Sequence, residues 1–388
     1  MFLALSTLAL GQDAPPPPDA EDPEIEELRQ RVRALEQQVD TLTHPASESA
    51  VPAEETLPLD LEAKLHGYAD VGAVGGTDDT PSFKLGDLVL SYQASLDRRW
   101  YLTTELVYEL LGVDFFLDIE EFHVAAHLSE GFHLTAGRMH TPLSEWGEFA
   151  LHGPYRYTSL DLPGALSLED EGGPLPMHLV GVVASGYVPV GYWRARYHVS
   201  VNNGRAPLLG TVPQTGDTDF GKALLGGVWV DSPGGVGVGG AFYYDVVNPG
   251  DLAGGAGVLS KPVTEMIGAA HVSADLARLE VLAEGFWVRH AAQGGPSADN
   301  LLGYAQVGVP LGDFTPYARA ERTERDVDDL IFREMGTLGT EHRGVVGVRW
   351  DVAVHAAIKL QAAYADVDDG TGDHEQGFGG ALQLAAGF

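Results

Sequence analysis

The chain has 388 residues, with 56 acidic against 23 basic side chains and a formal net charge of -33. Binding of a phosphate backbone requires clustered Lys and Arg, so we expect no nucleic-acid partner. The absence of cysteine excludes disulfides and thiolate metal sites. No run of eighteen apolar residues occurs, which excludes a transmembrane helix but leaves membrane-spanning strands open, because their signal is much weaker.

The N-terminal part of the chain divides into short segments of different composition. Residues 1–12, MFLALSTLALGQ, have the apolar core and small-residue end typical of a secretory signal peptide that lacks its basic start. We interpret them as a signal-peptide remnant, with a frayed apolar terminus as the alternative. Residues 13–23 are a spacer rich in proline and acidic residues, and residues 44–62 have the composition of a linker.

Between these segments, residues 24–43 carry a heptad pattern that predicts a short coiled-coil helix. Its a positions are Ile25, Val32 and Val39, and its d positions are Leu28, Leu35 and Leu42. β-branched a positions with leucine at d favour two strands. Against this, Arg31, Val32, Leu35 and Glu36 resemble the Arg-apolar-x-x-apolar-Glu motif of short trimeric coiled coils, where they would be trimerisation contacts. A single amphipathic helix packed on its own domain is the remaining alternative.

Residues 63–388 show almost no helical periodicity and contain sixteen runs of alternating character. Successive joins between the runs alternate between very short turns, such as Val190-Gly191, and long polar segments, such as 247–261 and 326–341. Both termini fall on the short-turn side. This is the layout of an outer-membrane barrel, although the join at 110–114 is short for the long-loop side.

The two faces of the runs differ in character. Trp193 and Val199, for example, alternate with Arg194 and Arg196. A soluble sandwich would alternate too, but these runs span 8 to 16 residues, whereas soluble strands average about 5 to 6 and a tilted membrane strand needs roughly 9 to 11. Aromatic residues near the run ends suit interfacial girdles. We therefore predict an all-β fold, a 16-stranded antiparallel transmembrane β-barrel over residues 63–388, with a soluble secreted β-protein as the alternative.

The last run ends on Phe388 after an alternation of apolar with small or polar residues. In a barrel, Phe388 would face lipid on the closing strand. It also resembles the terminal phenylalanine of bacterial outer-membrane barrels, which serves as a signal to the insertion machinery.

The longest join, residues 140–176, would fold back into the lumen and narrow it. Its acidic residues would face lumen-directed arginines of the wall and set up a transverse field that orients polar solutes. The predicted constriction residues are Glu145, Glu148, Asp161, Arg194, Arg196, Arg319 and Arg349. The alternative is that these are solvated charges with no role in selectivity.

Three patches resemble the phosphate-selective porin O/P superfamily: LTAGRMHTPLSEWGE at 134–148, LHGYADV at 65–71 and LTTELVYE at 102–109. The resemblance implies an outer-membrane porin. Ser144 stands where that family has glycine, and the lysine-rich loop that makes those channels anion-selective is missing. A net acidic barrel favours a weak cation preference instead.

The histidines of EEFHVAAHLSEGFH are the strongest candidates for a metal site. His123 and His127 would bind zinc if they lay on a helix. Because the run alternates as a strand, they should stand about 13 Å apart at ~3.3 Å per residue, too far for one ion. No nucleophile elbow or P-loop is present. We expect no metal, no cofactor and no enzymatic activity.

Together these observations predict an outer-membrane porin that gives passive diffusion of small hydrophilic solutes or ions through a water-filled barrel. The expected partners are outer-membrane lipid, two further copies in a homotrimer, and the cell wall, contacted through a periplasmic N-terminal coiled coil. The alternatives are an anion-selective, phosphate-like channel and a non-conducting barrel for adhesion or envelope tethering.

Overall fold

The structure is a computed structural model that describes residues 31–32, 62–77, 80–111, 114–129, 131–149, 154–169, 172–205, 221–249, 259–370 and 372–388. Arg31 and Val32 are helical and exposed. The predicted signal-peptide remnant, the spacer, the rest of the coiled coil with Leu35 and Glu36, and residues 44–61 of the linker lie outside the described residues. Glu62, the last residue of the predicted linker, already belongs to the first strand.

Sixteen strands form one closed antiparallel sheet, so the predicted 16-stranded barrel is confirmed. They are β1 Glu62–Gly76, β2 Ser82–Ser95, β3 Trp100–Leu111, β4 Asp114–Ser129, β5 Phe132–His140, β6 His178–Val190, β7 Trp193–Asn202, β8 Ala223–Asp231, β9 Val236–Val247, β10 Val263–Leu276, β11 Leu279–Ala292, β12 Ser297–Gly308, β13 Phe314–Arg325, β14 Gly339–Ala353, β15 Ala356–Asp368 and β16 His374–Gly387. Each strand pairs with its sequence neighbours, and β16 pairs with β1 to close the barrel. A closed sheet has no edge to protect.

The largest shift from the predicted runs concerns β12, which begins at Ser297 and ends at Gly308, whereas the sequence pattern placed this run at 300–311. The additional residues at its start include the outward-facing Asp299. Its carboxylate lies 2.6 Å from the Arg289 guanidinium and accepts a hydrogen bond from Trp287 Nε1 on the neighbouring strand.

The outer surface is apolar, as the alternation predicted, and a large part of the inner surface is polar. On β7 the outward Val199 is 57 % exposed, whereas the inward His198 and Ser200 are buried. On β16 the outward Leu382 and Leu384 are exposed in the same way. Because the side-chain period is two, a one-residue slip would turn the polar set of each strand outward, so the register is strongly specified.

Exposed aromatic side chains mark both ends of the barrel wall. The short-turn end carries Trp100, Phe132, Trp193, Phe314 and Trp350. The opposite end carries Phe83, Phe242, Tyr244, Trp287 and Phe378. Phe314 and Trp350 stack across neighbouring strands with ring centroids 5.5 Å apart. Two aromatic belts flanking an apolar band are what a membrane interface favours.

The terminal Phe388 continues the barrel closure beyond β16. Its N–H donates to the Gly67 carbonyl at 2.9 Å, and its carbonyl accepts from the Gly67 N–H at 3.0 Å. The ring lies outward and exposed, over Gly67, where a Cβ would collide with it. Glycine on the first strand therefore makes room for the terminal aromatic ring.

Short turns join the strands at one end of the barrel. The turn between β6 and β7 has Gly191 at φ 64°, a left-handed conformation that glycine adopts without strain. The described helices are short segments such as Glu145–Phe149 and Leu330–Met335. No helix in the described part of the chain is long and apolar enough to cross a membrane.

Candidate functional site

The described parts of the segment between β5 and β6, residues 141–149, 154–169 and 172–177, fold into the barrel. They contain the helix Glu145–Phe149 and single 3₁₀ turns at Pro154–Arg156 and Gly164–Leu166. Tyr155 donates a hydrogen bond to the Val354 carbonyl, in the short turn that follows β14. The segment, called the inward loop below, therefore reaches the short-turn end of the lumen.

Asp161 fixes the middle of the inward loop to the wall. Its carboxylate lies 2.6 Å from Arg319 Nη2 on β13 and also pairs with Arg343 on β14. Arg319, which is completely buried, makes a second ion pair of 2.7 Å with Glu321. Burial raises the pKa of Asp161, but the charges of Arg319 and Arg343 outweigh it and hold the pKa below its ordinary value. The carboxylate is thus ionised at neutral pH, and two guanidinium groups bind it.

Further basic side chains hold the backbone of the inward loop. Arg349 on β14 donates to the Tyr155 and Tyr157 carbonyls at 2.5 and 2.7 Å, and Lys359 on β15 donates to the Ser159 carbonyl at 2.8 Å. The predicted constriction set included Arg349 but not Lys359 or Arg343, although the alternation places all three on the polar, lumen-facing side of their strands.

Glu145 lies on the other side of the inward loop. Its carboxylate is 3.5 Å from Arg196 Nη2 on β7, and Arg196 is paired more closely with Asp231, at 2.9 Å. Burial raises the pKa of Glu145, and the charge of Arg196 offsets this only in part. Arg194 is largely exposed and lies 3.7 Å from Asp231. The side chain of Glu148 lies outside the described residues.

The structure thus brings Asp161 together with Arg319, and Glu145 together with Arg196, in direct contact rather than across a gap. Arg349 contacts loop carbonyls and Asp351, and within the described part of the chain Arg194 forms an ion pair with Asp231 of the wall rather than with an acid of the inward loop. The role of this set in a pore constriction stays a prediction.

A cavity of about 530 Å³ opens between the inward loop and the wall of β7–β12. It is lined at its charged positions by Glu145 and Arg156 of the loop and by Arg194, Asp231, Asp275 and Glu280 of the wall. Charges of both signs and this volume suit water and small polar solutes.

An apolar cluster fills another part of the lumen, against β8–β12. The loop contributes Leu143, Trp146, Leu166, Leu175 and Met177, and the wall contributes Leu225, Trp229, Tyr243, Ile267, Phe286 and Val288. Sequence analysis assigned only polar groups to the lumen and did not anticipate this cluster. The signal was present, since Ile267, Phe286 and Val288 occupy positions that the alternation directs inward.

The join between β13 and β14 also enters the barrel. Asp329 caps the helix Leu330–Met335 by accepting from the Phe332 N–H, and its carboxylate lies 2.7 Å from His290 Nδ1. Burial raises the pKa of Asp329, but the hydrogen bond and charge of His290 lower it overall. The cap positions Ile331 and Phe332 in the apolar cluster. Sequence analysis treated residues 326–341 only as a long polar loop.

His123 and His127 lie on β4, so their predicted strand placement is confirmed. The His127 ring contacts His133 on β5, with centroids 4.1 Å apart.

No model of a known protein family matches the sequence, and no curated protein matches it. Solved structures are similar. The outer membrane channel DcaP of Acinetobacter baumannii aligns with a TM-score of 0.60 and 11% identity, covering 84% of this chain and 97% of that chain. The anion-selective porin from Comamonas acidovorans gives 0.58 and 13% identity, covering 85% and 100%. The trimer form of OmpT, an outer membrane protein of Vibrio cholerae, gives 0.58 and 10% identity, covering 84% and 99%.

The chain has the barrel fold of the outer-membrane porins. At these identities the likeness concerns the fold, and the inward loop, the ion pairs and the apolar cluster described above are read from this chain alone.

Proposed function

We propose that this protein is an outer-membrane porin that gives passive diffusion of small hydrophilic solutes or ions. The observation that supports this best is a closed sixteen-stranded barrel with an apolar outer surface, a charged inner surface and a long segment folded inside. Sixteen strands enclose more space than side chains alone fill. The inward loop reduces that space, and solutes are selected by size and charge rather than by any covalent step.

The proposed ion preference is weakly cationic. Arg319 and Arg343 are paired with Asp161 and Glu321, Arg196 with Asp231, and Arg349 with Asp351, so acids within the barrel already neutralise these guanidinium groups. The wall of β1–β4 adds inward acids such as Asp70 and Glu121. A lumen whose bases are paired and whose overall charge is acidic attracts cations.

Planar-bilayer recording of the purified protein tests both parts of this proposal. We expect discrete conductance steps, and in a salt gradient a reversal potential of the sign that cation flux produces. A reversal potential of the opposite sign would favour the anion-selective alternative, and the absence of steps would contradict the porin proposal itself.

A non-conducting barrel for adhesion or envelope tethering is the second candidate, and the apolar cluster in the lumen favours it. Packed side chains exclude water, so any water-filled path for solutes must run beside the apolar cluster rather than through it. A barrel in which the inward loop left no such path would insert into bilayers and give no conductance.

The finer parts of the proposal concern assembly and relatives. We propose a homotrimer in outer-membrane lipid, in which Arg31, Val32, Leu35 and Glu36 contribute to a periplasmic coiled coil close to the cell wall. The three sequence patches support a relation to the phosphate-selective porin O/P superfamily without its phosphate selectivity. Sedimentation of the full chain in detergent, with and without residues 24–43, tests the trimer.

A further inference from the structure

The two ends of the inward loop carry a pair of histidines. His140 is the last residue of β5 and His178 the first residue of β6, and the two are directly opposite each other in the strand pairing. Their ring centroids lie 5.3 Å apart. Two imidazoles held by adjacent strands at this separation have little conformational freedom left to lose on binding a common ligand.

A β-bulge on β4 adds a carboxylate to this pair. Glu105 pairs with Glu121 but Leu106 pairs with Ile119, so Glu120 is an extra residue in the strand. Ile119 is exposed on the outer surface, whereas Glu120 is buried inside. The bulge therefore directs Glu120 towards His178, whose Nε2 lies 2.6 Å from Glu120 Oε2. Bulges of this kind often direct a side chain at a functional site.

The surroundings of the three side chains suit a cation. Potential ligand atoms of Glu120, His140 and His178 all lie within 4.8 Å of one another. Glu169, on the inward loop, lies 3.1 Å from His178 Nδ1 and so directs Nε2 towards Glu120. A carboxylate on the second ring nitrogen is the usual means of orienting a metal-binding histidine.

The local charge also favours the binding of a cation. Glu105 and Glu121 lie 3.9 and 3.7 Å from the His140 ring nitrogens, and Arg138 is the basic side chain next to Glu120, at 3.3 Å. Even with a proton on His178 between Glu120 and Glu169, the four carboxylates of the group outnumber the positive charges of His178 and Arg138. A divalent cation would reduce that excess in a largely buried position.

We propose that Glu120, His140 and His178 bind a divalent transition-metal ion of the Zn²⁺ class. Two imidazole nitrogens and one carboxylate oxygen are a ligand set that Zn²⁺ accepts, with water as a fourth ligand, whereas Ca²⁺ and Mg²⁺ prefer oxygen. The ion would join β4, β5 and β6 at the base of the inward loop, and through Glu169 it would fix the loop itself.

The test uses the full-length, detergent-folded protein, stripped with a chelator and then titrated with Zn²⁺. We expect saturable binding, seen by calorimetry, and a thermal unfolding midpoint that rises with Zn²⁺ concentration. In His140→Gln both effects should be lost. In Glu169→Gln the affinity should fall on the order of 10- to 100-fold, the usual effect of removing an orienting partner.

His374→Gln is the matched control. His374 is exposed and lies near Asp366 and Asp368, so it is the site at which adventitious Zn²⁺ would bind. Zn²⁺ binding that is lost in His374→Gln but kept in His140→Gln would overturn the proposal, as would the absence of binding to the unaltered protein. If His140→Gln does not fold, anomalous scattering from crystals of the unaltered, Zn²⁺-soaked protein decides: a peak between His140 and His178 supports the site, and a peak only elsewhere refutes it.

Discussion

The inward loop is held by different forces on its two sides. Towards β13–β15, Arg319, Arg343, Arg349 and Lys359 bind Asp161 and backbone carbonyls. Towards β8–β12, the loop packs through an apolar cluster. The strength of an ion pair depends on pH and salt, whereas the stabilisation from buried apolar area depends little on either. The apolar side is therefore a fixed attachment and the polar side is adjustable, so the width of a pore here would be tuned from the polar side.

The largest expected effect on stability comes from Phe332→Ala, which removes a side chain from the apolar cluster. Phe332 is completely buried in the cluster, and deleting a buried phenylalanine ring costs about 3 to 5 kcal/mol because a cavity remains. We expect the free energy of unfolding in detergent, followed by tryptophan fluorescence, to fall by this amount, and the conductance to become noisier.

Phe83→Ala is its control, since Phe83 is almost fully exposed at the barrel rim. An equal loss in both variants would show that the interior cluster does not anchor the loop.

The next largest effect on stability comes from Asp161→Asn, which removes the ion pairs of Asp161 on the polar side of the inward loop. Arg319 and Arg343 would keep their charges and their contacts with Glu321 but lose the carboxylate of Asp161, at a cost of about 1 to 3 kcal/mol. Loss of one negative charge beside Arg319 and Arg343 would also make the lumen more positive, so we expect the reversal potential to move towards anion preference.

Asp351→Asn is the matched change, because Asp351 pairs with Arg349 at 2.7 Å and is more exposed. We expect a stability change of less than about 1 kcal/mol for it. A larger effect for Asp351→Asn than for Asp161→Asn would contradict the assigned roles.

The smallest expected effect concerns the pH dependence of stability, to which Glu145 and Asp161 of the inward loop contribute with opposite sign. The pKa of Glu145 is raised above its ordinary value of 4.5, so protonation in that range removes the cost of burying its charge and slightly stabilises the fold. The pKa of Asp161 is lowered below 3.8, so its contribution to stability is complete above that value and is lost as the pH falls through the folded-state pKa.

Unfolding free energies measured from neutral pH down to about pH 3 should therefore rise slightly before they fall. Glu145→Gln should reduce the rise and leave the fall. If the fall came first, or if it persisted unchanged in Asp161→Asn, the assignment of these two acids would be wrong.

Several features of the site were within reach of the sequence, and others were not. Alternation placed Arg196, Arg319 and Arg349 in the lumen, because a strand has only two faces and the outer one is apolar. It could not pair Asp161 with Arg319, since the two are separated by 158 positions and meet only when the loop crosses the barrel. The helix that places Phe332 in the lumen was missed because its apolar residues follow a polar, acidic stretch that resembles a surface loop.

The sequence by itself determined the number of strands, their order, and which side chains face inward, because period-two alternation and turn spacing are local properties. Only the tertiary structure decided which inward charges pair, where the lumen is dry, and that Glu120, His140 and His178 converge. Those relations depend on barrel closure, on a one-residue bulge and on the path of the inward loop. Each brings together residues that are distant in the chain, and no local pattern encodes them.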